Sequence, residues 1–149
     1  MSESKELAQA CYQQLWQNDY ASQHLGIEMQ QVDEGHACIT MSVKQFMLNG
    51  HGTCHGGFLF AMADSAFAFA CNSDNRPTVA SGCSIDFIRP AKANDLLTAT
   101  AKRLSRGKRT GLYDVEITNS EQQLIAQFRG RAHQVGSHII DPTTLSLGA

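Results

Sequence analysis

Asp64 interrupts an otherwise apolar run, Phe58-Leu-Phe-Ala-Met-Ala-Asp64-Ser-Ala-Phe-Ala-Phe-Ala-Cys71. A carboxylate in such a segment loses hydration, which costs several kcal/mol unless something compensates. Groups kept at that cost tend to mark functional sites. The plainer alternative is an Asp on the wet face of a surface helix. The loop just before the run, Asn49-Gly-His-Gly-Thr-Cys-His55-Gly56-Gly57, supplies a second kind of chemistry. A helix beginning near Gly56 presents unpaired backbone N–H groups and a partial positive charge there. With no side chain at Gly56 or Gly57 to block approach, that end can receive a carbonyl oxygen developing negative charge, as an oxyanion hole does. A carboxylate near an activated carbonyl can attack it or activate a water against it. Acyl transfer to water fits these parts.

Geometry adds a condition. Asp64 lies eight residues after Gly56, about 12 Å along the same helix axis. Both groups of one helix cannot reach one carbonyl carbon. Either they serve separate purposes, or Gly56 of one chain faces Asp64 of another across a two-fold interface. Asn49 and His55 flank the loop and can touch substrate, or can simply stabilise the turn through side-chain to backbone bonds.

The elements that must position these residues are legible from periodicity. Leu7, Ala8, Cys11, Tyr12, Leu15 and Trp16 give an amphipathic helix within an N-terminal segment 1–24. Strands are expected at 27–32 and 37–43, joined by Asp33-Glu-Gly-His36 as a hairpin turn. A loop at 48–55 leads into a helix over 56–72, ended by Asn72-Ser-Asp-Asn-Arg-Pro77. Strands follow at 78–88, 95–104, 110–118 and 124–135, the first stopped by Arg89-Pro90. The tail, 136–149, is expected to fray. One strongly apolar helix among five or six long antiparallel strands is an α+β design, with the helix buried by a sheet wrapped around it. Some apolar strand residues should remain on the outer face of that sheet, which favours oligomerisation.

The totals agree with this. The chain of 149 residues is read as a single domain; it is 42% hydrophobic, with a formal net charge of −2. That charge gives no basis for bulk attraction to nucleic acid or an anionic membrane. No stretch reaches the roughly 18 apolar residues of a spanning helix. Met1-Ser-Glu-Ser-Lys-Glu6 lacks the apolar core of a signal peptide, so a cytoplasmic protein is expected. The five cysteines, at irregular spacing without Cys-x-x-Cys, read as reduced thiols.

Asn49-Gly-x-x-x-x-His55-Gly56-Gly57, followed by Ala63-Asp64 and Ala66, resembles the hotdog-fold acyl-CoA thioesterases. Cys83-Ser-Ile-Asp-Phe-Ile-Arg-Pro90, Leu97-Thr-Ala-Thr-Ala101, Gly111-Leu-Tyr-Asp-Val-Glu-Ile117 and Phe128-Arg-Gly-Arg-Ala-His133 bring the likeness closer to the phenylacetic-acid-degradation (PaaI) type. The similarity runs from about Leu25 to about Ile139. It implies a helix wrapped by a sheet, dimers whose sheets join, and dimers paired into tetramers. It further implies hydrolysis of acyl-CoA, here aryl-acetyl-CoA, without a metal or organic cofactor, CoA being part of the substrate. Carried onto this chain, Asp64 is nucleophile or general base, acting across the subunit interface. The Gly56 N–H polarises the thioester carbonyl, and Asn49 and His55 assist from the loop. In some relatives a Ser or Thr helps position water; Ser81 and Ser84 both stand near the corresponding strand, in a register the sequence leaves ambiguous.

The CoA phosphates need partners. Arg89-Pro90 follows a strand end, and Arg106-Gly107-Lys108-Arg109 is the densest basic run. With Gly57 these form the expected CoA-binding set, against the bland reading of 104–109 as a solvated turn. Met47, Phe58, Phe60 and Phe67 can line an acyl pocket or simply fill the core. His51, Cys54 and His55 with Asp64 do not match zinc spacings. A Cys54 thiol nucleophile ranks below Asp64, because adjacent Cys54 and His55 need not face each other. A hotdog dehydratase using His55 and Asp64 on hydroxyacyl thioesters remains as an alternative, as does a non-catalytic acyl-CoA-binding module. Thiol release separates the first from hydrolysis, and binding without turnover marks the second.

Overall fold

A computed structural model describes residues 2–143. The chain opens with two helices, α1 (Glu3–Trp16) and α2 (Tyr20–His24). A hairpin of β1 (Glu28–Asp33) and β2 (His36–Ser42) follows, then a 3₁₀ turn at Gln45–Met47 and the long helix α3 (Gly56–Cys71). Four strands complete it: β3 (Thr78–Phe87), β4 (Leu96–Arg106), β5 (Thr110–Thr118) and β6 (Leu124–Gln134). All six strands form one antiparallel sheet in the order β1-β2-β4-β5-β6-β3. The sheet wraps α3, giving the α+β hotdog arrangement. The short α2 and the 3₁₀ turn carry too little periodicity to be read from sequence.

Helix α3 is buried because both sides are shaped for it. It presents Leu59, Met62, Ala63, Ala66, Phe67, Phe69 and Ala70 to the sheet. The strands answer with small residues where the helix comes close, Ala37, Ala99 and Ala101, and larger ones around them, Ile39, Leu97, Val115, Ile117 and Phe128. Phe67 stacks on Tyr113 and Phe128 at 5.5 and 5.8 Å between centroids. A Cβ at residue 130 would stand 2.9 Å from the Phe67 ring, so Gly130 makes room for it. Helix α1 closes one end, with Tyr12 edge-on to Phe69 at 5.0 Å.

Two seams of this wrapping stay partly open. Along α3, Gly57, Phe60, Ala61, Asp64, Ser65 and Ala68 are less than fully buried and fall on one stripe at helical spacing. Strand β3 is an edge: of its α3-facing residues Ile85 is partly exposed and Phe87 more than half, as is Val79. The outer face of the sheet is mostly polar, carrying Thr100, Lys102, Asp114, Glu116, Gln127 and Arg129 around Leu104. The apolar residues expected on that outer face are present but few, Leu96, Leu104 and Val79, and the edge strand adds the exposed Phe87. Beyond β6 the chain does not leave at once. Asn75 Oδ1 accepts from the backbone N–H groups of Ile139 and Ile140, and its amide donates to the Ile140 carbonyl. Residues 144–149 of the tail expected to fray lie outside the described residues.

Candidate active site

The loop into α3 is built by Asn49. Its Oδ1 accepts from the N–H groups of His51 and Thr53 at 2.9 and 3.1 Å, and from the Thr53 hydroxyl. Its backbone N–H closes the loop on the Thr53 carbonyl at 2.8 Å. Asn49 thus does the conformational work of a turn residue, while its amide Nδ2 has no partner among the described residues.

His55 then caps α3. Its Nδ1 accepts from Gly57 N–H at 3.1 Å, which places the proton of the neutral ring on Nε2. Phe58 N–H, and more weakly Leu59 N–H, close on the His55 carbonyl. Of the N–H groups at this helix end, Gly56's alone lacks a partner among the described residues. Gly57, grouped with the substrate-binding residues on sequence, spends its N–H on the His55 ring. The ring of Phe87, at the end of β3, lies over Gly56: a Cβ there would be 2.9 Å from Phe87 Cζ. An unpaired donor at a helix N-terminus, beside an aromatic wall, is an electropositive spot sized for a carbonyl oxygen.

Asp64 sits two turns on, on the open stripe, half-buried and with no hydrogen-bond partner among the described residues. Burial pushes its carboxyl above the usual carboxylate range, and the Asp19 charge adds to the push. Cys83 faces it from β3: its thiol is pushed up by burial first and then by the Asp64 charge. The register decides between the two serines near this strand. Residues Ala80, Cys83 and Ile85 pair with the inward Ala132, Gly130 and Phe128, and so face α3. Ser84 lines the polar outer face, and exposed Ser81 donates to the Arg131 carbonyl. Neither serine reaches toward Asp64. Burial pushes the Cys54 thiol up to about 11, so it is no thiolate nucleophile near neutrality.

The expected CoA-binding residues do not converge within one chain. Thr78 of β3 pairs with Gln134 and Phe87 with Ala126, while Thr110 pairs with His133. Arg89 and Pro90 are therefore at the Gly56 end of the sheet, and the 106–110 turn is at the far end, a separation of about 30 Å along strands rising 3.3 Å per residue. Arg106 does not stand free. Its guanidinium is largely buried and pairs with Asp74, as does that of Arg103 at 3.3 Å. Sequence spacing gave no sign of this pairing across 32 residues. Lys108 and Gly107 are exposed at the turn, where Gly107 N–H closes on the Thr110 carbonyl. Arg89 is exposed beyond β3. Met47 and Phe67 are fully buried core residues, whereas Phe58 and Phe60 keep some exposure at the helix start. No helix among the described residues is long and apolar enough to cross a membrane.

A hotdog sheet around a helix with a free N-terminal donor and a desolvated carboxylate defines a thioesterase-like protein, and the chain belongs to the thioesterase superfamily, whose family model matches residues 51–126. It is 52% identical over 125 residues to the acyl-coenzyme A thioesterase PaaI of Escherichia coli, covering 84% of this chain and 89% of that one. A solved structure of the E. coli PaaI protein from the phenylacetic acid degradation operon superposes with a TM-score of 0.90 at 48% identity, over 91% of this chain and 99% of that one. A hypothetical thioesterase from Streptococcus pneumoniae, solved with coenzyme A, matches with a TM-score of 0.73 at 28% identity, over 75% of this chain and 88% of that one.

Proposed function

We propose that this protein hydrolyses acyl-CoA thioesters, with aryl-acetyl-CoA such as phenylacetyl-CoA as the substrate class, to the free acid and CoA. The observation that carries the reading is the pair formed by the unpartnered Gly56 N–H and the unpartnered, desolvated Asp64. In the general-base form, Asp64 takes a proton from water as the water oxygen bonds to the thioester carbon. The carbonyl electrons move onto the oxygen held by Gly56 N–H. Collapse restores the carbonyl and expels the CoA sulfur, which takes up the proton from Asp64. In the covalent form the Asp64 carboxylate itself attacks, giving an anhydride that water then opens. Charge develops on the carbonyl oxygen in both, so the same donor stabilises both.

Gly56 and Asp64 of one α3 are two turns apart, so a two-fold pairing of chains supplies the second half of each site. The open stripe of α3 and the half-covered edge β3 are the surfaces such a dimer would bury, and the dimers would pair further into tetramers. Antiparallel pairing also sets the Arg89 end of one chain beside the Lys108 end of its partner, which reunites the exposed cations that a single chain keeps apart. The resemblance to PaaI proteins supports the aryl-acetyl group and a cytoplasmic, cofactor-independent enzyme.

Thiol release tests this, on a panel of phenylacetyl, hydroxyphenylacetyl, benzoyl, short-chain and long-chain CoA esters. Rapid release on the aryl-acetyl esters, lost in Asp64→Asn, is the expected result. Enoyl formation from hydroxyacyl-CoA without thiol release would favour a dehydratase instead, and binding without any turnover would mark a non-catalytic module.

A further inference from the structure

The N-terminal segment makes a polar connection to α3 that the chemistry above does not use. Asp19 caps α2, accepting from Ser22 N–H at 3.1 Å and from the Ser22 hydroxyl at 2.7 Å. The Ser22 hydroxyl, 1% exposed, also lies 2.8 Å from the hydroxyl of Ser65, the residue after Asp64. A hydroxyl has one proton to give. Ser22 spends its proton on Asp19, so Ser65 must donate to Ser22. The result is a directed chain, Ser65 to Ser22 to Asp19, ending on a carboxylate that strengthens each link. Capping α2 explains the first bonds. It does not explain why the buried hydroxyl reaches 43 residues along the chain to the turn that carries Asp64.

We infer that Asp19 is a positioning residue for Asp64, tethered through Ser22 and Ser65 to the α3 turn and holding a second negative charge toward the reacting carboxylate. The inference rests on the hydrolase reading above. Two like charges kept close would be a defect in a merely structural site. Here the repulsion is relieved when Asp64 takes a proton from water or spends its charge in attack, so it favours the transition state over the resting state.

The other groups around Asp64 do not offset it. Cys83 of β3 and Cys71 of α3 are both lifted, Cys71 to about 12, and stay neutral. The strands beneath α3 present Ile39, Ala99, Val115 and Phe128, together with Tyr113, whose hydroxyl accepts from Arg103 beside Asp74. The upward push on the Asp64 carboxyl, from burial and then from Asp19, agrees with this arrangement.

Asp19→Asn tests it, because Asn caps a helix as well as Asp: its oxygen still accepts from Ser22 N–H, while its amide meets the Ser22 hydroxyl, so both the charge and the direction of the chain are lost. The readout is the pH profile of kcat/KM for thiol release from phenylacetyl-CoA, with thermal unfolding as the check on folding. Removing the charge should move the acid limb to lower pH and lower the plateau, since a less basic Asp64 is a weaker base. Ser65→Ala should cost about 2- to 10-fold in kcat, the equivalent of one hydrogen bond, and Ser65→Thr should restore it. An Asp64-dependent profile whose acid limb Asp19→Asn leaves in place overturns this inference alone, as does a Ser65→Ala enzyme with wild-type kcat. A wild-type protein that releases no thiol overturns the hydrolase reading, and this inference with it.

Discussion

At the residue scale, Asp64 carries a cost to the fold that pH should reveal. Its carboxyl is lifted in the folded chain, by burial first, so folding favours the neutral form. Below the ordinary carboxylate range both folded and unfolded chains hold the proton, and nothing is lost. As pH rises, the unfolded chain ionises first, so the fold is penalised, and the penalty is complete once pH passes the lifted folded value. Asp64→Asn should therefore raise the Tm at neutral pH, and the gain should vanish in acid. The same substitution should lower kcat by roughly 10² to 10⁴. A Tm gain that persists unchanged into acid would mean that Asp64 carries no such strain. Gly56 can be tested just as directly. Pro is accepted at the first position of a helix, and His55 before it is already extended. Gly56→Pro removes the free N–H and should cost about 10² to 10³ in kcat, with the half-exposed Phe87 ring swinging aside. Near-normal turnover would remove Gly56 from the site. Asp64 and the His-Gly-Gly motif were legible in the sequence because an isolated charge in an apolar run and a glycine pair before it are local signals. The ring of Phe87 over Gly56 and the Asp74 pairing of Arg106 were not, because each joins residues across many positions, whereas the local bonds of Asn49 to His51 and Thr53 were one of the two readings the sequence offered.

At the element scale, α3 is positioned at both ends by side chains rather than by its own propensity. His55 caps its start. At its end Asn72, nearly buried, donates to the Ala68 and Thr78 carbonyls and accepts from Thr78 N–H at 2.8 Å, tying the helix to the first residue of β3. Asn72→Ala would strand these backbone groups and should cost about 1–3 kcal/mol in chemical denaturation. A smaller loss would mean that water replaces the amide. This cap also explains why the helix was legible almost to the residue: a capping His before two glycines and an Asn-Ser-Asp-Asn cluster after the apolar run are strong stop signals. The six strands were legible from alternation. Their order was not, since β3 crosses to pair with β6, and sequence alternation fixes which face a residue takes without saying which strand lies beside it.

At the scale of the whole molecule, the proposed site calls for two chains, because the groups it needs are spread along one. The free donor and the exposed Arg89 lie at one end, the carboxylate sits mid-helix, and Lys108 lies at the other end. The partly open stripe of α3 and the edge β3 run alongside them. Helix length alone already separated Gly56 from Asp64 in the sequence, whereas the separation of Arg89 from the 106–108 run needed the strand register. Mixing two inactive variants tests the account most directly. Asp64→Asn and Gly56→Pro chains, each inactive alone, should regain activity when refolded together. A one-to-one mixture makes half its dimers mixed, each with one intact site of two, so thiol release should recover to about a quarter of wild type. Recovery would place Asp64 and Gly56 of different chains in one active site. A mixture as inactive as either variant alone would contradict the shared site.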